Sequence, residues 1–190
     1  MQKIRSFIAI PLTSSIRKSA DQLVQQLQRP QDRMKWVPNE HLHLTLKFLG
    51  DVENTEVPRL CEVIRDCCQP MAPFRLQFRG AGGFPAADRA RVVWAGVGEG
   101  GESLVPLVSA LETNLAELGF KPEARDYVPH LTLGRARGGS RRGDPELAAR
   151  IAAADDFELG SMEADRVCLF ASYLDKHGPT YHVMATVPLA

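Results

Sequence analysis

Few cysteines, no excess of either charge and no long apolar run set the first bounds on this sequence of 190 residues. Cys61, Cys67, Cys68 and Cys168 form neither a Cys-x-x-Cys pair nor an evenly spaced framework, so they read as reduced thiols. No stretch approaches the ~20 apolar residues that span a bilayer. The opening ten residues hold only a short apolar run before Pro11 and lack a secretory cleavage pattern, which points to the cytoplasm. Lys plus Arg and Asp plus Glu both total 23, and a formal net charge of zero argues against broad nonspecific grip on nucleic acid, which requires many neutralised phosphates. A nucleic-acid ligand would then be held at an end or at a single nucleotide. The chain also lacks a Walker phosphate loop, a dinucleotide fingerprint and a Gly-x-Ser-x-Gly elbow, so ATP- or NAD-dependent chemistry has no support.

What is present is a repeated tetrapeptide: His43-Leu-Thr-Leu46 recurs letter for letter as His130-Leu-Thr-Leu133. In a strand, His and Thr of each copy share one face while the two leucines share the other. Each copy thus offers an imidazole and a hydroxyl on one side and a leucine pair for the core on the other. Two such strands facing each other across a cleft could act together on one substrate.

The surrounding pattern alternates strands with helices. A buried strand over 5–10 stops at Pro11, and apolar residues at helical spacing run from a cap at Ser14 or Ser15 to about Gln28. A short extended piece spans 34–37, the first histidine strand closes at Gly50, and a helix covers about 55–68. Strands over 74–79 and 91–97 flank a Gly-, Pro- and Ala-rich segment, 80–90, expected as a long loop. A helix over 103–118 ends at Gly119, and the second histidine strand starts after Pro129. Asp144 caps and Pro145 opens a fourth helix, to about Ala154. Strands follow over 157–159, 166–173 and 181–187. The expectation is one compact domain, residues 1–190, made of two comparable halves with one tetrapeptide each, and monomeric.

Two imidazoles converging on one group suit paired acid and base work, because a pKa of ~6.5 leaves both forms available near neutrality. Two threonine hydroxyls and a cation would hold a phosphodiester, and Arg135 is the natural cation. Strict alternation puts Arg135 on the leucine face, but a bulge near Gly134 would return it. His41 and Lys47 share the face of His43 by alternation and could support it, Lys47 as a phosphate contact or a solvated lysine. His41-x-His43 could also be half of a metal site, although no carboxylate or cysteine follows at a familiar spacing. Arg137, Arg141 and Arg142 form a basic loop that could guide a polyanion.

The paired motif resembles that of the two-histidine phosphoesterase superfamily, and within it the bacterial RNA 2′,3′-cyclic phosphodiesterases, also called 2′-5′ RNA ligases. Also similar are Arg5-x-Phe-Ile-Ala9, Phe84-Pro85 before Arg91-Val-Val-Trp94, Pro129-His-Leu-Thr-Leu-Gly-Arg135, and Ser172 with Gly178-Pro-x-Tyr181. The resemblance implies an α+β bilobal fold, with two antiparallel sheets backed by helices and related by a pseudo-twofold around a central groove. It implies cofactor-free and metal-independent hydrolysis of a 2′,3′-cyclic phosphate, on an RNA end or a nucleotide, to a 2′-phosphomonoester. His43 would be the proton donor and His130 the acceptor that activates water. Thr45, Thr132 and Arg135 would hold the phosphate, and Phe7 would either lie near the nucleobase or belong to the core. The two tetrapeptides being identical, the residues themselves leave open which histidine is acid and which base. Reverse 2′-5′ ligation is implied as well. Two other readings stay open: a binding module that grips phosphorylated RNA ends without turnover, and the same chemistry on an ADP-ribose cyclic phosphate or other small nucleotide.

Overall fold

The computed structural model describes residues 3–138, 143–176 and 178–190. The first strand, β1 (Lys3–Pro11), has five buried residues in succession from Ser6 to Ile10, as befits a strand covered on both faces. It leads into α1 (Ser14–Leu27), which Thr13 caps through its side chain, one residue ahead of the expected serines. Next come β2 (Met34–Trp36), β3 (His43–Glu53) and α2 (Val57–Cys68). The middle of the chain forms β4 (Phe74–Phe84), β5 (Val92–Val97) and α3 (Gly101–Glu117). The rest forms β6 (His130–Ala136), α4 (Pro145–Ala153), β7 (Glu158–Ala164), β8 (Arg166–Asp175) and β9 (Gly178–Pro188).

All pairings are antiparallel and fall into two sheets, a four-stranded one ordered β3-β1-β8-β9 and a five-stranded one ordered β2-β6-β5-β4-β7. The two sheets are not two halves of the chain. The last two strands return to the first sheet, while β2 and β4 join the second, so the lobes interleave in sequence. The helices cross over too: α1 and α4 pack on the five-stranded sheet, and α2 and α3 on the four-stranded one. One contiguous cluster of buried apolar residues runs through both sheets. Among the described residues, no helix is long and apolar enough to cross a membrane.

The segment expected as a loop over 80–90 begins as strand, because β4 continues to Phe84. Gly80 has φ +67° and is the residue stepped over in the register between β4 and β5, a bulge that glycine permits. At Gly82 the Trp94 ring lies so close that a Cβ would come within 2.2 Å of it. The glycines there admit an indole against the strand backbone; they do not break the strand.

Candidate active site

The two histidine strands adjoin where the sheets meet, β3 at one edge of the four-stranded sheet and β6 inside the five-stranded one. On β3 the register against β1 pairs Pro11 with His43 and Ala9 with Thr45, then steps over Leu46 to pair Ile8 with Lys47. The bulge reverses the alternation. Lys47 does not share the face of His43, as alternation suggested, but points to the core, 2% exposed. Its Nζ donates to Glu112 Oε2 at 2.7 Å and to the Lys121 carbonyl at 3.1 Å. The same step puts Phe48 opposite Phe7 on the face of His43 and Thr45, and a second step passes over Leu49. On β6 the register against β5 steps over Leu133, one residue before Gly134, so Arg135 comes back to the face of His130 and Thr132.

Each histidine is anchored in the same way. His43 Nδ1 donates to the His41 carbonyl at 2.7 Å, and His130 Nδ1 donates to the Val128 carbonyl at 2.7 Å. A carbonyl oxygen can only accept, so the Nδ1 proton is assigned and the neutral ring presents a bare Nε2. Around these anchors the two rings differ. Phe7 stacks on His43 with centroids 4.5 Å apart, and Phe170 and Tyr181 close in at 6.0 and 5.2 Å. His130 has one aromatic neighbour among the described residues, Phe84, edge-on at 5.0 Å. Burial accordingly lowers the His43 pKa to about 4, with the charges of His41 and Arg135 adding to the effect and the bond to His41 opposing it. Burial also lowers the His130 pKa, the bond to Val128 opposing and Arg135 adding. Arg135 thus acts on both imidazoles, one from each sheet.

Between the sheets lies a groove of about 460 Å³, lined by His43, Thr45, Thr132, Arg135, Arg5 and Tyr181 among others, with no Asp or Glu in its wall among the described residues. His130 stands outside that wall, two positions along β6 from Thr132. Neither threonine hydroxyl makes a hydrogen bond among the described residues, so both remain free to donate. His41 also lines the groove, edge-on to Tyr181 at 5.1 Å, and its buried Nδ1 lacks a partner. Phe7 is 3% exposed, its ring taken up by His43, Phe170, Tyr181 and Phe48; it backs the imidazole more than it faces the groove. Arg137 is exposed, and Arg141 and Arg142 lie outside the described residues. Among the described residues, no three His, Cys, Asp or Glu side chains gather as a metal set.

Sequence reasoning passed over Tyr127. Its phenol, from the segment that leads into β6, donates to the Thr45 carbonyl at 3.0 Å, and the Glu123 amide donates to Glu112 Oε2 at 3.2 Å. With Lys47 holding the Lys121 carbonyl, the approach to the second motif is tied to the strand of the first. An irregular segment offers no periodicity from which such a tie could be read.

A family model described as the 2′-5′ RNA ligase superfamily matches residues 16–176. A Methanothermobacter thermautotrophicus protein named RNA 2′,3′-cyclic phosphodiesterase is 40% identical over 179 residues, covering 94% of this chain and 95% of its own. A crystal structure of E. coli LigT complexed with 3′-AMP superposes with a TM-score of 0.80 at 25% identity, covering 100% of this chain and 99% of that one. A crystal structure of a Thermus thermophilus protein gives 0.79 at 27% identity, with 98% of each chain covered.

Proposed function

Because the chain belongs to the 2′-5′ RNA ligase superfamily, we propose that it hydrolyses 2′,3′-cyclic phosphates at RNA ends to 2′-phosphomonoesters, as a cytoplasmic monomer. The observation that carries this reading is the pair of imidazoles, each with Nδ1 anchored and Nε2 bare, on two adjoining strands that also carry Thr45, Thr132 and Arg135. Arg135, Thr45 and Thr132 hold the non-bridging phosphate oxygens by charge-assisted hydrogen bonds. His130 Nε2 takes a proton from water as the water oxygen bonds to phosphorus. The P–O3′ bond breaks, and the proton on His43 Nε2 passes to O3′. The products are a 3′-hydroxyl and a 2′-phosphomonoester, one water being consumed.

The donor needs a proton, and with a pKa of about 4 His43 is neutral at pH 7 in the empty groove. An anion ~4–6 Å away raises a pKa by ~1–3 pH units. A phosphodiester drawn in by Arg135 would thereby bring the His43 pKa toward neutrality, so that the acid is charged as the substrate binds. Run backwards with a 5′-hydroxyl in place of water, the same steps give a 2′-5′ linkage.

The test is to incubate the protein with a nucleoside 2′,3′-cyclic phosphate and a chelator, and to identify the product by phosphorus NMR. A 2′-phosphomonoester is expected. A 3′-phosphomonoester would overturn the roles given to the two histidines, and binding without product would favour a module that only grips phosphorylated ends.

A further inference from the structure

The groove holds more positive charge than a cyclic phosphate needs. That group carries one negative charge, which Arg135 on β6 meets, yet Arg5 lines the same groove from β1 in the opposite sheet. Arg5 does not stand alone. Across the four-stranded sheet Arg5 is in register with Ser172, and Ser172 with Tyr181, so a guanidinium, a hydroxyl and a phenol form one row over three strands. All three line the groove, and none makes a side-chain hydrogen bond or ion pair among the described residues. Half-buried hydroxyls without a protein partner await water or a ligand. Asp51 faces Arg5 across the β1–β3 pair, with no ion pair between them. The positive charges of Arg5 and Arg135 both pull the Tyr181 pKa down, against the burial that raises it, so the phenol sits within electrostatic reach of each.

The position of the row suits a second phosphate. Arg5 lies two residues, ~7 Å, along β1 from Phe7 on the same face, and Phe7 stacks on His43. The row thus stands beside the His43 ring, on the sheet opposite Arg135. Resting on the cyclic-phosphate reading above, we infer that Arg5, Ser172 and Tyr181 form a second subsite that binds the 5′-phosphate of the terminal nucleotide. The enzyme then prefers the end of an RNA strand, where that phosphate is always present, to a nucleoside cyclic phosphate that lacks it.

The probes are a nucleoside 2′,3′-cyclic phosphate with and without a 5′-phosphate. The wild type should have a kcat/KM about tenfold higher for the 5′-phosphorylated form, the size of one hydrogen bond to a charged group. Its salt dependence should also be steeper, because an added charge on the ligand is screened by salt. Arg5→Ala should bring the ratio close to one and remove the extra slope, and Asp51→Asn should raise the ratio. Equal rates in the wild type, or a ratio that Arg5→Ala leaves intact, would overturn the subsite. In parallel, dissociation constants of the matching 2′-monoesters, with and without a 5′-phosphate, are compared by calorimetry in the wild type and Arg5→Ala. If neither cyclic substrate is turned over, the hydrolase reading fails, and the calorimetric ratio still decides for or against Arg5.

Discussion

The tetrapeptide His-Leu-Thr-Leu sits on two strands of one protein, and its two copies live in unlike surroundings. What the local sequence controls is the same in both: each imidazole faces the groove side of its strand, and each Nδ1 is tied at 2.7 Å to the carbonyl two residues before it. What tertiary packing controls is different. The β3 copy is enclosed by Phe7, Phe170 and Tyr181 and has the Lys47–Glu112 ion pair beneath it, whereas among the described residues the β6 copy has one aromatic neighbour, Phe84. Identical residues thus meet unlike surroundings, and burial lowers the pKa of both, that of His43 to about 4.

Deleting either ring is the strongest way to test whether the copies form one unit. His43→Ala and His130→Ala should each lower kcat by ~10²- to 10⁴-fold. The double variant should lose little beyond the worse single one, since groups acting as a unit are not additive. Losses that multiply in single-turnover assays would show two independent groups. Next in size is the ion pair under the β3 copy, which has no counterpart under β6 among the described residues. Lys47→Met should cost ~3 kcal/mol in urea unfolding, because it leaves Glu112 uncompensated with its Oε1 already buried and unpartnered. Adding Glu112→Leu should recover most of that, and no recovery would mean the lysine matters through its packing. Arg135, which acts on both copies, comes third: Arg135→Ala should reduce kcat/KM by ~10- to 100-fold. Arg135→Lys should restore only part, a point charge being a poor substitute for a planar fork.

The smallest effects are those of pH, and their sign follows from burial. The folded protein holds the His43 pKa near 4, below the ordinary 6.5, so it favours the neutral ring. Stability from this group is complete above about pH 6.5 and is lost as pH falls toward 4. The urea midpoint should therefore drop between pH 7 and pH 4.5, and His43→Gln should flatten that drop. Phe7→Leu, which thins the cover of the β3 copy, should raise the His43 pKa by less than one pH unit and move the acid limb of kcat/KM with it. An unmoved limb would remove Phe7 from the electrostatics of the site.

Much of this was legible in the sequence because it is local. Period-2 alternation places His43 and Thr45 on one face, helical spacing finds α1, α2 and α3, and Asp144 with Pro145 marks the start of α4. The misreadings come from bulges and long-range pairing. Alternation puts Lys47 on the face of His43 because nothing in His-Leu-Thr-Leu-Lys announces the step over Leu46; only the pairing with β1 creates it. The glycines of β4 looked like a loop because the indole that covers Gly82 lies twelve residues further on, at Trp94. The halves looked sequential because strand order in a sheet is not written in strand order along the chain. The tie made by Tyr127, and the alignment of Arg5, Ser172 and Tyr181 in one row, are hidden for the same reason, their partners being distant in sequence.

The central claim is that packing has made unlike the two histidines that the sequence made alike. Titrating both imidazoles by NMR in the ligand-free protein tests it directly. His43 should titrate near pH 4, below His130, with both below 6.5. Two superimposed curves centred on 6.5 would contradict it.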